Sequence, residues 1–168
     1  MTEVVPGATP GQTVGPFFHH AMAYPGDSEL VPFGSAGSVV LHGYVYDGEG
    51  AVVPDAMIEI RQADASGVVP AVGGSLRRGG AGFTGWGRSC TDFAGHYWFS
   101  TVEPGLSFFA VTVFARGLLD RLFTRIYLPG AEGALDGLVA SREADGRLRF
   151  DIHLQGPSET VFLKFPRA

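Results

Sequence analysis

Three runs of this chain alternate in facing with a period of two. Val39, Leu41, Gly43 and Val45 alternate with Val40, His42, Tyr44 and Tyr46. Ala56, Ile58 and Ile60 alternate with Met57, Glu59 and Arg61. Leu148, Phe150, Ile152 and Leu154 alternate with Arg149, Asp151 and His153. Successive side chains of a strand point to opposite faces, so each run can bury one face in a sheet. The punctuation between runs is turn chemistry. Asp47-Gly48-Glu49-Gly50 reads as a hairpin turn. Asp92 to Gly95 is a second tight turn, since Asp accepts from backbone two residues on and Gly tolerates positive φ. His96 to Val102, rich in aromatic and β-branched residues, follows as a strand, and Pro104-Gly105 ends it because proline has no N–H for a ladder.

The rest of the chain adds strands rather than helices. Residues 108–116, FFAVTVFAR, are apolar on both faces, as for a strand buried twice or facing a partner. Residues 118–128 fit a turn and then a strand closed by Pro129-Gly130, 131–144 are expected to hold one short helix, and 161–165 a last strand. Residues 68–83 are Gly-rich and without period, so they read as a loop. Met1 to Pro16 is an arm without regular structure, and Phe17-Phe18 are too apolar to be left in water, so the arm should dock. The sum is an all-β, single-domain antiparallel β-sandwich with little helix. Its expected parts are an arm and irregular connection over 1–37 and a sandwich over 38–168.

The net charge of −5 argues against nucleic acid, and no apolar run reaches membrane-spanning length. Charged residues make up only 17%, which suggests a surface partly covered by other subunits. The single cysteine, Cys90, rules out an internal disulfide and fits a reducing cytoplasm.

Candidate chemistry is sparse. The five histidines have no HxH or HExxH spacing. His19-His20 would point opposite ways on an extended chain, and His42, His96 and His153 read as polar-face strand residues. Cys90 stands two residues from Arg88, which could lower a thiol pKa, although packing is the ordinary role of a lone cysteine. Arg116, Arg121 and Arg125 form a basic group that could be a solvated face or could capture an anion, a carboxylate above all.

Four segments, taken together and in order, resemble the intradiol ring-cleavage dioxygenases: TPGQTVGPFF (9–18), HGYVYDGEGAVVPDAMIEIRQADASG (42–67), GWGRSCTDFAGHYWFSTVEPG (85–105) and RLRFDIHLQGPSETVF (147–162). Within that family, VFARGLL with TRIY and FDIHLQG with ETVF are similar to the alpha chains of a two-chain member. The resemblance implies a non-haem Fe(III) held by two tyrosines and two histidines in catalytic chains. Here the corresponding places fall near Val69, Ser107, Phe108 and Ala110, none of which offers a phenolate or imidazole. Arg61 also stands where the family usually has Trp.

An alpha chain reconciles the two, because alpha chains share the fold without the iron. The resemblance therefore implies no metal and no catalytic residue here, with Fe(III) in a homologous beta chain of a larger hetero-oligomer. It implies cleavage of 3,4-dihydroxybenzoate (protocatechuate) with O2 to 3-carboxy-cis,cis-muconate. It also implies that Thr13, Gly15 and Pro16 of the arm, with Arg116, line the partner's substrate pocket. Two other readings stay open: a self-sufficient dioxygenase with an unfamiliar iron set, and a binding or structural β-sandwich without an enzymatic partner.

Overall fold

A computed structural model of the chain describes residues 9–72 and 82–165. The first eight residues of the arm, the middle of the Gly-rich loop and the last three residues lie outside this range.

The period-two runs become the strands they predict. One sheet holds β1 (Ser38–Tyr46) between β4 (His96–Val102) on one side and β8 (Leu148–Arg149) and β9 (Ile152–His153) on the other, with β7 (Ser141–Arg142) beyond β8. The second has the order β3 (Trp86–Cys90), β2 (Met57–Arg61), β5 (Phe108–Phe114), β6 (Leu122–Tyr127). Neighbours are antiparallel except β8 and β9, which run parallel to β1. Leu41, Val45, Tyr97, Phe99, Leu148 and Ile152 of one sheet meet Ile58, Ile60, Phe109, Val111 and Ile126 of the other in a dry core.

The 147–155 run keeps one register along β1 but is split in two. The split is chemical: the Asp151 carboxylate, rather than a backbone carbonyl, accepts the Tyr44 N–H at 3.1 Å. The Phe150 carbonyl turns inward instead and accepts the Tyr97 hydroxyl at 2.7 Å. Gly43 lies beneath it, where a Cβ would sit 1.7 Å from that oxygen.

Turn chemistry is also as read. Asp92 Oδ1 accepts from Ala94 N at 2.8 Å and His96 N at 3.0 Å, and Gly95 takes φ +75°.

Several sequence expectations are corrected. Residues 131–144 hold no helix: Gly130, Gly133 and Gly137 all adopt positive φ, which breaks the segment into turns leading to β7. Residues 161–165 form no strand; they lie along β6 through Leu163 N to Phe123 O (2.7 Å) and Thr124 Oγ1 to Val161 O (2.8 Å), too few bonds for a ladder. The connection after the arm contains one turn of helix, α1 (Phe18–Met22). His19 and His20 consequently lie side by side, their rings tilted by 37° with centroids 3.9 Å apart, instead of pointing apart.

His42 is not at the surface. It is buried with Nε2 3.0 Å from Glu143 Oε2 and Nδ1 3.3 Å from His96 Nε2. Glu143, carried on the turn after β7, roofs this part of the sheet. Burial, then the neighbouring His42, lowers the His96 pKa against the pull of Asp92.

Candidate functional site at the arm and the β5–β6 corner

The arm docks, but not through both phenylalanines: Phe17 stays 76% exposed and Phe18 is half-buried. What holds the arm is polar. Arg88, buried on β3, donates to Met22 O at 2.8 Å and grips Glu59 of β2 through Nε and Nη2 at 3.0 and 2.6 Å. Arg88 N also donates to Asp27 O at 2.8 Å, so the connection pairs with the edge of β3. Cys90 beside it is no activated nucleophile. Burial first, and Asp27 second, push its thiol up to about 11 against the opposing pull of Arg88.

Upstream of α1, residues 11–14 run beside the corner between β5 and β6. Thr13 Oγ1 accepts the Gly117 N–H at 2.7 Å. Gln12 and Val14 face Phe114, Leu118 and Arg121 across a cleft of about 210 Å³. The Gly15 carbonyl accepts the Phe18 N–H at 3.3 Å in the turn that leads into α1, and Gly15 and Pro16 are exposed. Arg116 stands two residues past the end of β5, next to the residue Thr13 binds. Its side chain is 57% exposed, and Nε lies 3.1 Å from Asp55 Oδ2. The arm and the β5 end, about a hundred residues apart in sequence, therefore form one exposed surface with an arginine fork on it.

The three arginines of 116–125 part company. Arg121 lies over the Phe123 ring at 5.0 Å, and Arg125 over Phe108 at 4.5 Å with Nη1 3.3 Å from the Tyr127 hydroxyl. Arg121 also lines the cleft under the arm, whereas Arg116 adjoins the Gly117 that Thr13 binds and faces Asp55. Asp55 escaped the sequence reading. It had one signal there, a carboxylate immediately before an otherwise apolar strand start, but its partner is 61 positions away.

The places corresponding to the metal ligands do not fit a ferric ion. Val69 is exposed, and Ser107 adopts φ +61° in the turn before β5. Phe108 and Ala110 face outward from β5, and Ala110 has Arg61 beside it on β2 and Arg125 beside it on β6. Two guanidinium-bearing neighbours, with the one nearby carboxylate, Glu59, already held by Arg88, make this a poor place for a trivalent cation. Among the described residues no three His, Cys, Asp or Glu side chains group as a metal site.

No protein-family model matches the chain. Among curated proteins it is 37% identical over 190 residues to the protocatechuate 3,4-dioxygenase alpha chain of Burkholderia cepacia, covering 92% of this chain and 95% of that one. It is 33% identical over 197 residues to the corresponding alpha chain of Pseudomonas putida, covering 94% and 96%. Among solved structures, the dioxygenase domain of a dioxygenase–carbohydrate-binding fusion from Streptomyces sp. SirexAA-E has the same fold, with a TM-score of 0.63 at 22% identity over 90% of this chain and 97% of that one. With a β-sandwich of two four- to five-stranded sheets and full-length relatives of one kind, the chain belongs to the protocatechuate 3,4-dioxygenase alpha-chain family of intradiol ring-cleavage dioxygenases.

Proposed function

We infer that this chain is the iron-free alpha subunit of a protocatechuate 3,4-dioxygenase. In this reading a homologous beta chain in a larger hetero-oligomer carries the Fe(III) that supplies the ring-opening chemistry with O2. The reaction breaks the carbon–carbon bond between the two hydroxyl-bearing carbons, and both oxygen atoms enter the product, 3-carboxy-cis,cis-muconate. Residues 1–37 serve as arm and connection, and 38–168 as the sandwich. No helix among the described residues is long and apolar enough to cross a membrane. The free thiol of Cys90 supports a cytoplasmic setting.

The observation that carries the reading is the joining of Thr13 to the backbone beside Arg116. It supports a shared role for Thr13, Gly15, Pro16 and Arg116 at the mouth of the partner's pocket. Arg116 there would receive the carboxylate of the substrate, and the arm would help to exclude water around it. A charge-assisted hydrogen bond contributes roughly 1.5–3 kcal/mol. Arg116→Ala, reconstituted with the native beta chain, is expected to raise KM for 3,4-dihydroxybenzoate about tenfold or more. The effect on catechol, which lacks the carboxylate, should be small. An unchanged KM in an intact oligomer removes Arg116 from the site, and equal losses on both substrates make it structural.

The metal assignment has its own test. Purified alone, the chain is expected to hold no stoichiometric iron and to show no tyrosinate-to-iron absorption, because Phe108 and Ala110 offer no ligand and stand among arginines. Elemental analysis with a visible spectrum checks this. A coloured, iron-loaded chain would favour the self-sufficient reading instead.

A further inference from the structure

We propose that Asp55 is a positioning residue for Arg116, fixing which edge of the guanidinium is offered to the substrate carboxylate. The proposal rests on the reading of Arg116 given above. Asp55 reaches Arg116 by sheet register: Met57 pairs with Phe114 across β2 and β5, so two residues further out the same register sets Asp55 opposite Arg116. The backbone around Asp55 is pinned by Thr91. The Thr91 hydroxyl donates to Val53 O at 2.8 Å and accepts the Ala56 N–H at 2.9 Å, while Thr91 N donates to Ala56 O at 2.9 Å.

The carboxylate so held is 7% exposed. Its Oδ2 lies 3.1 Å from Arg116 Nε, and its buried Oδ1 has no hydrogen-bond partner among the described residues. Leaving the buried Oδ1 unpaired lowers stability, so stability alone explains this pair poorly. Its gain lies elsewhere. Arginine presents five donors in a planar fork, and a contact through Nε leaves the Nη1–Nη2 edge available to another partner. That edge matches a carboxylate with two parallel hydrogen bonds. Asp55 also removes, before substrate arrives, rotamer freedom that binding would otherwise have to remove.

An opposing effect is the negative charge Asp55 brings near an anionic substrate. The Arg116 guanidinium 3.1 Å away offsets most of that charge, whereas the geometric constraint is not offset. Orientation is therefore expected to win.

The test is a double-mutant cycle in the alpha–beta holoenzyme, with steady-state kinetics on 3,4-dihydroxybenzoate and on catechol. Asp55→Asn is expected to raise KM for the acid roughly two- to tenfold, with kcat unchanged and catechol little affected. In an Arg116→Ala background, adding Asp55→Asn should change KM no further, since Asp55 acts only through Arg116. Additive effects, equal losses on both substrates, or an unchanged KM for Asp55→Asn while Arg116→Ala raises it would each overturn the proposal and leave the role of Arg116 standing. An Arg116→Ala holoenzyme with native KM would overturn the arginine reading itself, and this inference with it. If Asp55→Asn fails to assemble, Asp55→Glu enters the same cycle: it keeps the charge but moves it by one methylene, and a raised KM for the acid alone remains the expected result.

Discussion

Gly43→Ala is expected to leave little of this chain folded under conditions where the native protein is fully folded. A Cβ on Gly43 would stand 1.7 Å from the Phe150 carbonyl oxygen and 2.6 Å from its carbon. Both are backbone atoms, so no side-chain rotation relieves the clash. The carbonyl cannot simply swing back, because it accepts the hydroxyl of Tyr97, a fully buried residue paired with Gly43 across β1 and β4. Moving it would leave that hydroxyl unpaired in the core and pull on the neighbouring bond from Phe150 N to His42 O. Overpacking joined to a broken buried hydrogen bond puts the loss at about 4 kcal/mol or more, a large part of the stability of an ordinary domain. Urea denaturation of the full chain measures it. A midpoint corresponding to a loss under about 1 kcal/mol at unchanged slope would show that β8 and β9 can shift away from β1 at little cost.

The second large effect is expected at Arg88. Its guanidinium is 7% exposed, binds the Glu59 carboxylate twice and the Met22 carbonyl once, and lies 5.2 Å from the Trp86 ring centroid. Arg88→Ala would leave Glu59, itself four-fifths buried, without its cation and release the end of α1. Breaking a buried pair from one side costs about 3–5 kcal/mol, and the residual exposure of Glu59 sets the expectation near the lower limit. The midpoint of thermal unfolding should drop by roughly 6–12 °C for a chain of this size. Because α1 follows directly on the Thr13–Pro16 segment, the arm should loosen as well, seen as faster amide exchange at Ala23 and Gly117, whose N–H groups are bonded in the docked form. Arg88→Lys would keep the charge but not the three-way geometry, so only partial recovery is expected. Native stability in Arg88→Ala would mean that the arm and connection are held without the Arg88 side chain.

Much of the fold was legible because strand periodicity is local. Leu41 and Val45, Ile58 and Ile60, and Leu148, Phe150, Ile152 and Leu154 all face the core as the alternation requires. Asp92 and Gly95 form their turn from bonds that close within four residues. The misreadings share one cause, which is that local pattern competes with distant partners. Residues 131–144 carry helix-compatible alanines and leucines, but three positive-φ glycines overrule them. His42 falls on the polar side of β1 by period, yet Glu143, over a hundred residues on, closes over it.

Residue type and short spacing determined the sandwich, the main strands and turns, and the absence of phenolate and imidazole at Val69, Ser107, Phe108 and Ala110. Only long-range contacts decided that Arg116 stands against a buried Asp55 and next to the Gly117 that Thr13 binds, and that Arg61 and Arg125 flank Ala110. They decided too that Gly43 must be glycine. Each of these follows from strand register and from long-range hydrogen bonds, which bring together residues whose spacing along the chain carries no periodic signal.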